Sequence, residues 1–309
     1  MSRHGASVVG VLLAATGALS YGVTVVLGRQ LAAAGLGPAT ALGTRFTVAA
    51  VVLAVAVQLR RVSLRPEPGE AIRLLLLGAI GYTAESTLFF LALQRGTAAT
   101  CALLFYTYPA FVLLLELARG REQARPSLLV ALPLSSVGVV LIVASGQGLA
   151  ISVLGIALAL GSGFIYAGYL LVGRELGRRS DSMVAACWLA AGAALSCLTR
   201  GIALDGLDNP AGQWPVLLGY GLATAVAFWL TFAALARIGA SRTAVIMTFE
   251  AVTAAALGAV LLGEQLGPLQ AIGGASVLAA AVLIATTAGK GRSARTPAVI
   301  PKIDEVAVR

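Results

Sequence analysis

The sequence predicts an all-α polytopic membrane protein with ten transmembrane helices, arranged as two inverted five-helix repeats. The first observation is composition: of 309 residues, 59% are hydrophobic and only 11% are charged, and the mean hydropathy is +0.92. A soluble protein has a charged share of about 25%. The second observation is a succession of apolar runs of roughly 20 residues, the length that spans a bilayer as a helix. The third is a similarity between the two halves of the chain.

Ten apolar runs are long enough to cross the membrane, and lipid favours helices because a helix satisfies its own backbone polar groups. The first run follows Arg3 and stays apolar to Arg29, which is longer than the apolar core of a signal peptide. We therefore predict that it remains in the protein as a helix. The ten runs cover approximately 7–28, 38–59, 72–93, 98–118, 127–145, 151–173, 183–203, 215–236, 241–263 and 267–288.

Basic residues cluster in alternate loops, which the positive-inside rule assigns to the cytoplasm. The intervening loops carry almost no Lys or Arg. We predict a multi-pass protein of the plasma (inner) membrane with both termini cytoplasmic. The segment 290–309 combines proline with mixed charge, which is typical of a disordered tail. The basic residues that set this orientation are Arg60, Arg61, Arg65, Arg73, Arg119, Arg121, Arg125, Arg174, Arg178, Arg179, Arg237, Arg242, Lys290, Arg292 and Arg295.

An internal repeat organises the chain. Residues 92–122, ALQRGTAATCALLFYTYPAFVLLLELARGRE, match residues 234–264, ALARIGASRTAVIMTFEAVTAAALGAVLLGE, without a gap at a constant offset of 142 positions. A second match joins YGVTVVLGRQL, which starts at Tyr21, to YAGYLLVGREL, which starts at Tyr166. We predict a first repeat at 1–148, a second at 149–289 and the tail at 290–309.

Each repeat holds five helices, an odd number, so the second repeat must be inverted relative to the first. The basic residues change position accordingly, because the loop at Glu264 has no Lys or Arg whereas its copy at Glu122 is rich in Arg. Inverted repeats enclose a cavity near the membrane midplane and support alternating access.

The segments that carry this repeat resemble a known family. They include TRF at 44–46, the 92–122 segment, and TFEAVTAAALGAVLLGEQLGPLQAIGGASVLAAAVLI at 248–284. Together they resemble EamA-type transporters of the drug/metabolite transporter superfamily. The family usually has proline after the glutamate of the ninth helix; here Ala251 occupies that position and the first copy has Pro109. The resemblance implies a secondary transporter that exports small organic metabolites such as amino acids or drug-like compounds.

Ionisable residues at membrane depth are costly, so they are candidates for function. Glu250 in the ninth helix and Glu85 in the third are each predicted to bind substrate or to carry a coupling proton. The alternative for both is a carboxyl group that is hydrogen-bonded to neighbouring helices and fixes their packing. Arg45 could bind a substrate carboxylate or pair with Glu85 or Glu250; alternatively its side chain reaches the outer surface.

Aromatic residues with a polar tip suit a cavity that binds amphipathic molecules, although the same rings also pack between helices. Tyr21 and Tyr166 occupy equivalent positions in the two halves, and Tyr82 shares a helix face with Glu85. The remaining predicted substrate-binding residues are Tyr108, Tyr169 and Trp229.

The residues typical of catalytic, metal-binding and phosphate-binding sites are scarce in this sequence. His4 is the single histidine, all four aspartates lie in loops or the tail, and the sequence has no phosphate-binding G-x-x-x-x-G-K-[ST] loop. We therefore predict no catalytic activity, no metal site and no cofactor. The expected partners are a small-molecule substrate and the lipid bilayer but not nucleic acid, and a homodimer is left open. The alternatives to a transporter are a channel-like facilitator and a non-transporting integral membrane protein.

Overall fold

The computed structural model describes residues 3–119, 130, 133–138, 140–141, 151–176, 180–247, 249–265 and 267–293. Within these ranges the regular structure is helical, and the pairing of Gly96 with Ile151 is an isolated bridge. Five of the described helices are long and apolar enough to cross a membrane, and four shorter ones are also apolar. The prediction of an all-α polytopic membrane protein is confirmed.

The described helices follow the predicted runs with a few changes. They are α1 (Arg3–Ala33), α2 (Pro38–Leu59), α3 (Glu70–Leu76), α4 (Thr83–Leu93), α5 (Ala98–Phe105), α6 (Tyr108–Ala118), α7 (Val153–Leu176), α8 (Ser182–Arg200), α9 (Trp214–Met247), α10 (Phe249–Leu262) and α11 (Pro268–Ser293). A π-helical segment, Leu77–Tyr82, joins α3 to α4, and a second, Gly201–Asp205, follows α8. Most of the predicted fifth helix, 127–145, lies outside the described residues, as does most of the predicted tail.

The loop predicted between the eighth and ninth helices is absent. Helix α9 continues through this region to Met247, and Arg237 donates to the carbonyl of Ala233 one turn earlier within it. The segment has no proline and is rich in alanine, and the helix continues through Gly239. The two Arg residues that were assigned to a loop are therefore helical.

The predicted fourth helix is broken between α5 and α6, at Tyr106 and Thr107. Pro109 has no N–H to donate to the carbonyl four residues earlier, on Phe105. Gly163 of α7 approaches that carbonyl closely, since a Cβ at Gly163 would lie 2.9 Å from the Phe105 oxygen. The second copy also ends a helix at the equivalent position, Met247, although Ala251 replaces the proline.

Helices of one repeat pack mainly against helices of the other repeat. Helix α1 of the first repeat packs against α9 and α10, and α7 of the second packs against α3, α4, α5 and α6. The equivalent helices α2 and α8 pack against each other and run antiparallel: Gly43 meets Cys197 and Leu198, whereas the carbonyl of Ala50 accepts from Cys187. Helices α5 and α10 are antiparallel as well.

Small residues allow the closest helix approach. A Cβ at Gly78 would lie 2.0 Å from the Leu189 carbonyl oxygen, and one at Gly192 would lie 2.2 Å from the Leu75 carbonyl oxygen. Membrane helices use such residues to bring backbones together. The three cysteines, Cys101, Cys187 and Cys197, are free and buried between the helices.

Candidate functional site

A chamber lies where helices of both repeats meet. Elements α1, α2, α4, α5, α7, α9, α10 and the π segment before α4 each contribute side chains to it. The lining combines two carboxyl groups, a guanidinium, hydroxyl groups and aromatic rings. The lining residues are Tyr21, Thr24, Val25, Arg45, Tyr82, Glu85, Ser86, Phe89, Phe105, Tyr166, Tyr220 and Glu250.

Glu85 is one of the two acidic residues of the chamber, and its side chain is held from two helices. Its carboxylate accepts hydrogen bonds from Ser86 at 2.7 Å and from Ser162 of α7 at 3.2 Å. The residue is 6% exposed. The bond to a neighbouring helix, which was the structural alternative for this residue, is therefore present, and Glu85 also lines the chamber.

Glu250 lies in the first turn of α10 and contacts Tyr106 of the first repeat. The Tyr106 hydroxyl lies 2.9 Å from the Glu250 carboxyl oxygen and also contacts the carbonyl of Met247. Tyr106 is 1% exposed, so both groups compete for its hydroxyl away from bulk water. This contact joins the break between α5 and α6 to the equivalent break between α9 and α10.

Arg45 points into the protein rather than toward the outer surface. Its guanidinium donates to Thr224 at 2.7 Å and to Tyr220 at 3.0 Å, and the residue is 6% exposed. The guanidinium carbon also lies 4.5 Å from the centre of the Tyr220 ring. The alternative in which this side chain extends to the membrane surface is wrong, because two hydrogen bonds and a ring hold it beside the chamber.

Arg45 also lacks the predicted ion pair with Glu85 or Glu250. Among the described residues, the ion pair that is present joins Arg29 to Glu264. The partners of the Arg45 guanidinium in the structure are thus neutral hydroxyl groups. A buried guanidinium with neutral partners keeps N–H donors for an additional anionic group.

Tyrosine and phenylalanine rings form one wall of the chamber. Tyr21 and Tyr166, the repeat-equivalent pair, both line it. Tyr108 and Tyr169 stand behind this layer, with ring centres 4.9 Å and 5.5 Å from that of Tyr166. Tyr82 also lines the chamber, and its ring centre lies 5.4 Å from that of Tyr169. The predicted tyrosines are therefore brought together in one cluster.

Three predicted site residues do not line the chamber: Tyr108 and Tyr169 lie one layer behind it, and Trp229 lies away from it. Trp229 is 38% exposed on the outer side of α9, whereas Tyr220 and Thr224 of the same helix reach Arg45. Sequence reasoning missed those two residues as well as Ser86, Ser162 and Tyr106. Tyr220 and Thr224 are one helical turn apart in an apolar run, a pattern that could have identified them.

Contacts between the repeats lie one helical turn of α1 beyond Val25, which lines the chamber. Arg29 near the end of α1 lies 3.5 Å from the carboxylate of Glu264, which follows α10. Both oxygens of Glu264 accept from the backbone N–H of Ala98 at 2.9 and 3.0 Å, at the first turn of α5. The Arg29 guanidinium also donates to the carbonyl of Leu93 at 2.9 Å. Charge and hydrogen bonds thus join α1, α4, α5 and α10 at this level.

The chamber is small in this structure. Its volume is about 40 Å³. Pockets that hold small organic ligands have volumes of roughly 300–1,000 Å³, so the chamber must widen before it can hold such a molecule. The volume is sufficient for a few water molecules between the polar groups.

Comparisons with known proteins agree with this architecture. The model of the EamA-like transporter family matches residues 8–144 and 153–286. The uncharacterized transporter YwfM of Bacillus subtilis (strain 168) is 25% identical over 224 residues, which cover 72% of this chain and 76% of the relative. The threonine/homoserine exporter RhtA of Escherichia coli (strain K12) is 27% identical over 235 residues, which cover 74% of this chain and 72% of the relative.

A solved crystal structure shares the fold, with a TM-score of 0.61 at 21% sequence identity. The similarity covers 94% of this chain and 99% of that one. The two matched spans of the family model together extend over most of the chain, and each contributes helices to the chamber. The chain belongs to the EamA-like transporter family.

Proposed function

We propose that this protein is a secondary transporter that exports a small zwitterionic metabolite of the amino-acid type by alternating access. The observation that carries the proposal is that one buried guanidinium, Arg45, and two carboxyl groups, Glu85 and Glu250, line a single chamber without forming an ion pair in the structure. A zwitterion has one group of each charge, so the chamber offers a complementary partner for both.

Arg45 is the proposed anchor for the substrate carboxylate. A guanidinium has five N–H donors, and the bonds to Thr224 and Tyr220 use two of them. Burial of a charge is costly unless the charge is paired. A carboxylate would supply that pairing through charge-assisted hydrogen bonds, which are roughly twice as strong as neutral ones.

The two carboxyl groups are proposed to bind the substrate ammonium group and to carry a coupling proton. One accepts the substrate ammonium group, and the aromatic wall of Tyr21, Tyr82 and Tyr166 covers the rest of the molecule. With both carboxylates ionised, the chamber would carry one negative charge in excess of Arg45. A proton on either carboxyl group removes that excess, which makes Glu85 and Glu250 suitable for proton coupling.

The surroundings of Glu250 support a coupling role for that residue. Tyr106 has one hydroxyl proton but contacts two oxygen atoms, on Glu250 and on the Met247 carbonyl. A carbonyl can only accept. Both contacts are hydrogen bonds at the same time when Glu250 itself carries a proton and donates to the phenol oxygen. If Glu250 lost that proton, the single hydroxyl proton of Tyr106 could form a full hydrogen bond with only one of the two acceptors.

Alternating access is supported by the arrangement of the repeats. The equivalent helices α2 and α8 run antiparallel, and so do α5 and α10, which belong to the equivalent fourth and ninth predicted helices. A two-fold axis in the membrane plane relates antiparallel elements, which is the arrangement of an inverted repeat. The small chamber and the contacts at Arg29 and Glu264 then correspond to one of two related conformations. Export is the proposed direction, supported by the relative that is named an exporter of threonine and homoserine.

Counterflow in proteoliposomes tests the function. We expect vesicles preloaded with unlabelled threonine to accumulate labelled threonine or another labelled amino acid at a saturable rate. A free amino acid should compete, whereas its methyl ester and its N-acetyl derivative should not. Flux that rises linearly with concentration and lacks counterflow would favour a channel-like facilitator. Absence of flux across an amino-acid panel would overturn the proposed substrate class.

Arg45→Gln is the informative variant in this assay, and Arg95→Gln is its matched control. Arg95 is exposed in the turn after α4 and donates to the carbonyl of Leu91 in that helix. We expect Arg45→Gln to lower the apparent affinity at least tenfold, because a charged hydrogen bond contributes about 1.5–3 kcal/mol. Arg95→Gln should leave affinity unchanged. Equal effects of the two substitutions would remove Arg45 from the binding site.

A further inference from the structure

A second concavity lies on the outside of the helix bundle, between the α3–π segment and α7. It has a volume of about 460 Å³ and is lined mainly by apolar residues, among them Leu76, Ile80 and Val172. These three side chains are 50%, 67% and 45% exposed. Because they belong to apolar helices of a membrane protein, their exposed surface faces lipid. We call this concavity the α3–α7 groove.

The floor of the groove is open because of glycine. A Cβ placed on Gly168 of α7 would meet no atom within 4 Å. Gly81, at the opposite side, would make ordinary contacts at 3.6 and 3.7 Å. From Arg73 to Gly81 the groove follows eight residues of helix, or about 12 Å at the helical rise. Its length and apolar lining suit part of a hydrocarbon chain.

Arg73 stands at one end of the groove. It lies in the first turn of α3, at the end of the candidate span Glu70–Leu93, on the side where Arg60, Arg61 and Arg65 precede it in the chain. This side is predicted to be cytoplasmic. Within the described part of the chain, Arg73 forms no ion pair with an acidic residue. A guanidinium at the bilayer interface beside an apolar groove complements an anionic headgroup.

We propose that the α3–α7 groove binds a phospholipid with an anionic headgroup. One acyl chain lies along Leu76, Ile80 and Val172, and the headgroup phosphate accepts hydrogen bonds from Arg73. The lining favours this occupant over an ordered solvent cluster, because among its nine residues only Arg73 and Tyr169 have polar side-chain atoms. A site of this kind does not depend on which substrate the chamber transports.

The groove and the chamber share one wall. Tyr169 lines the groove, and its ring stacks on that of Tyr166 with an interplanar angle of 19°. It also contacts the ring of Tyr82, and both Tyr82 and Tyr166 line the chamber. A bound acyl chain therefore supports the back of the ring layer that faces the substrate, and removal of the lipid leaves Tyr169 free to move outward.

Lipid retention measured by native mass spectrometry tests the proposal on the purified full-length protein. The probes are dioleoyl phosphatidylglycerol and dioleoyl phosphatidylcholine at equal concentration, with soluble glycerol phosphate as the free headgroup. We expect one phosphatidylglycerol to be retained in preference to phosphatidylcholine, without competition from glycerol phosphate. Equal retention of the two lipids, or displacement by glycerol phosphate, would overturn a site for an anionic lipid.

Two substitutions locate the site, each with a matched control. Arg73→Gln should reduce phosphatidylglycerol retention about fivefold, the effect of one basic residue at the membrane surface. Arg65→Gln removes an exposed arginine of the preceding loop and should have little effect. Gly168→Phe fills the groove and should abolish retention of both lipids. Ile202→Phe places the same ring on an exposed apolar surface away from the groove and should not.

A second measurement covers the case in which a variant folds poorly. A photoactivatable phosphatidylglycerol is irradiated with the wild-type protein, and the modified peptides are identified by mass spectrometry. Adducts within 73–81 or 165–172 are expected. Adducts confined to other surfaces would overturn the proposal, whatever the behaviour of the variants. Transport is not measured in either experiment, so failure of the lipid site is distinguishable from failure of the proposed function.

Discussion

Arg29 and Glu264 form an ion pair with an N–O distance of 3.5 Å that joins the end of α1 to the turn after α10. The two residues come from different repeats. Glu264 also accepts from the backbone N–H of Ala98, which belongs to the first turn of α5. One carboxylate therefore connects three helices beyond one end of the chamber, and its removal should weaken the contacts there.

We expect Glu264→Gln to make the chamber more accessible from that side. The side chains of Arg29 and Glu264 are 27% and 10% exposed, and a partly exposed pair contributes about 1 kcal/mol, or roughly a fivefold change in the open fraction. The measurement is the labelling rate of Thr24→Cys by a membrane-impermeant thiol reagent, with the three native cysteines replaced by alanine. Glu67→Gln, an exposed carboxylate of the α2–α3 loop, is the control. Unchanged labelling would show that the pair does not hold this end closed.

Thr224 should act by positioning Arg45. Its hydroxyl accepts from the Arg45 Nε at 2.7 Å and donates to the carbonyl of Tyr220 at 2.8 Å. Thr224→Val keeps the shape and removes this bond, which costs about 1 kcal/mol. We expect a KM about fivefold higher with kcat nearly unchanged, measured by counterflow.

Thr47→Val is the matched control for that variant, because Thr47 donates to the carbonyl of Gly43 within its own helix. If both variants raised KM alike, the change would reflect a general effect on α2 and α9 packing. If kcat fell while KM stayed constant, Thr224 would act on the conformational step instead of substrate binding.

Glu250→Gln should separate proton coupling from substrate exchange. Glutamine keeps a hydrogen-bonding group near Tyr106 but cannot gain or lose a proton at neutral pH. We expect counterflow to persist within about threefold of wild type, whereas accumulation driven by an imposed pH gradient is lost. Glu85→Gln provides the comparison, and the variant that abolishes gradient-driven accumulation identifies the coupling residue. Gradient-driven accumulation in the double variant would exclude both.

Hydropathy and the internal repeat were sufficient to predict the helical membrane fold, because both depend on composition and order along the chain. They also indicated Tyr21, Tyr166, Glu85 and Glu250 as candidate residues, since polar groups in apolar runs are conspicuous. They could not indicate which face of a helix turns inward. Trp229 shows the consequence: it lies nine residues after Tyr220, or two and a half turns, so it occupies the opposite face of α9.

The helix boundaries show a second limit of sequence reasoning. Basic residues predicted a loop at Arg237, but the segment lacks proline and remains helical to Met247. The π segment Leu77–Tyr82 is another departure, because a change in helical pitch has no distinct signature in an apolar run. It changes the register between α3 and α4, and hence the face on which Tyr82 and Glu85 appear.

Gly78 and Gly192 should be intolerant of even a methyl group. A Cβ at either position would lie within 2.2 Å of a carbonyl oxygen on the facing helix, so α8 would have to separate from α3 and the π segment that follows it. Overpacking of this kind costs about 1–3 kcal/mol. We expect Gly78→Ala and Gly192→Ala each to lower the Tm of the detergent-solubilised protein by several degrees. Gly168→Ala, where the added methyl would meet open space, should leave the Tm unchanged or raise it slightly because alanine favours helix. A normal Tm in both close-contact variants would mean that α3 and α8 are not in backbone contact at this crossing.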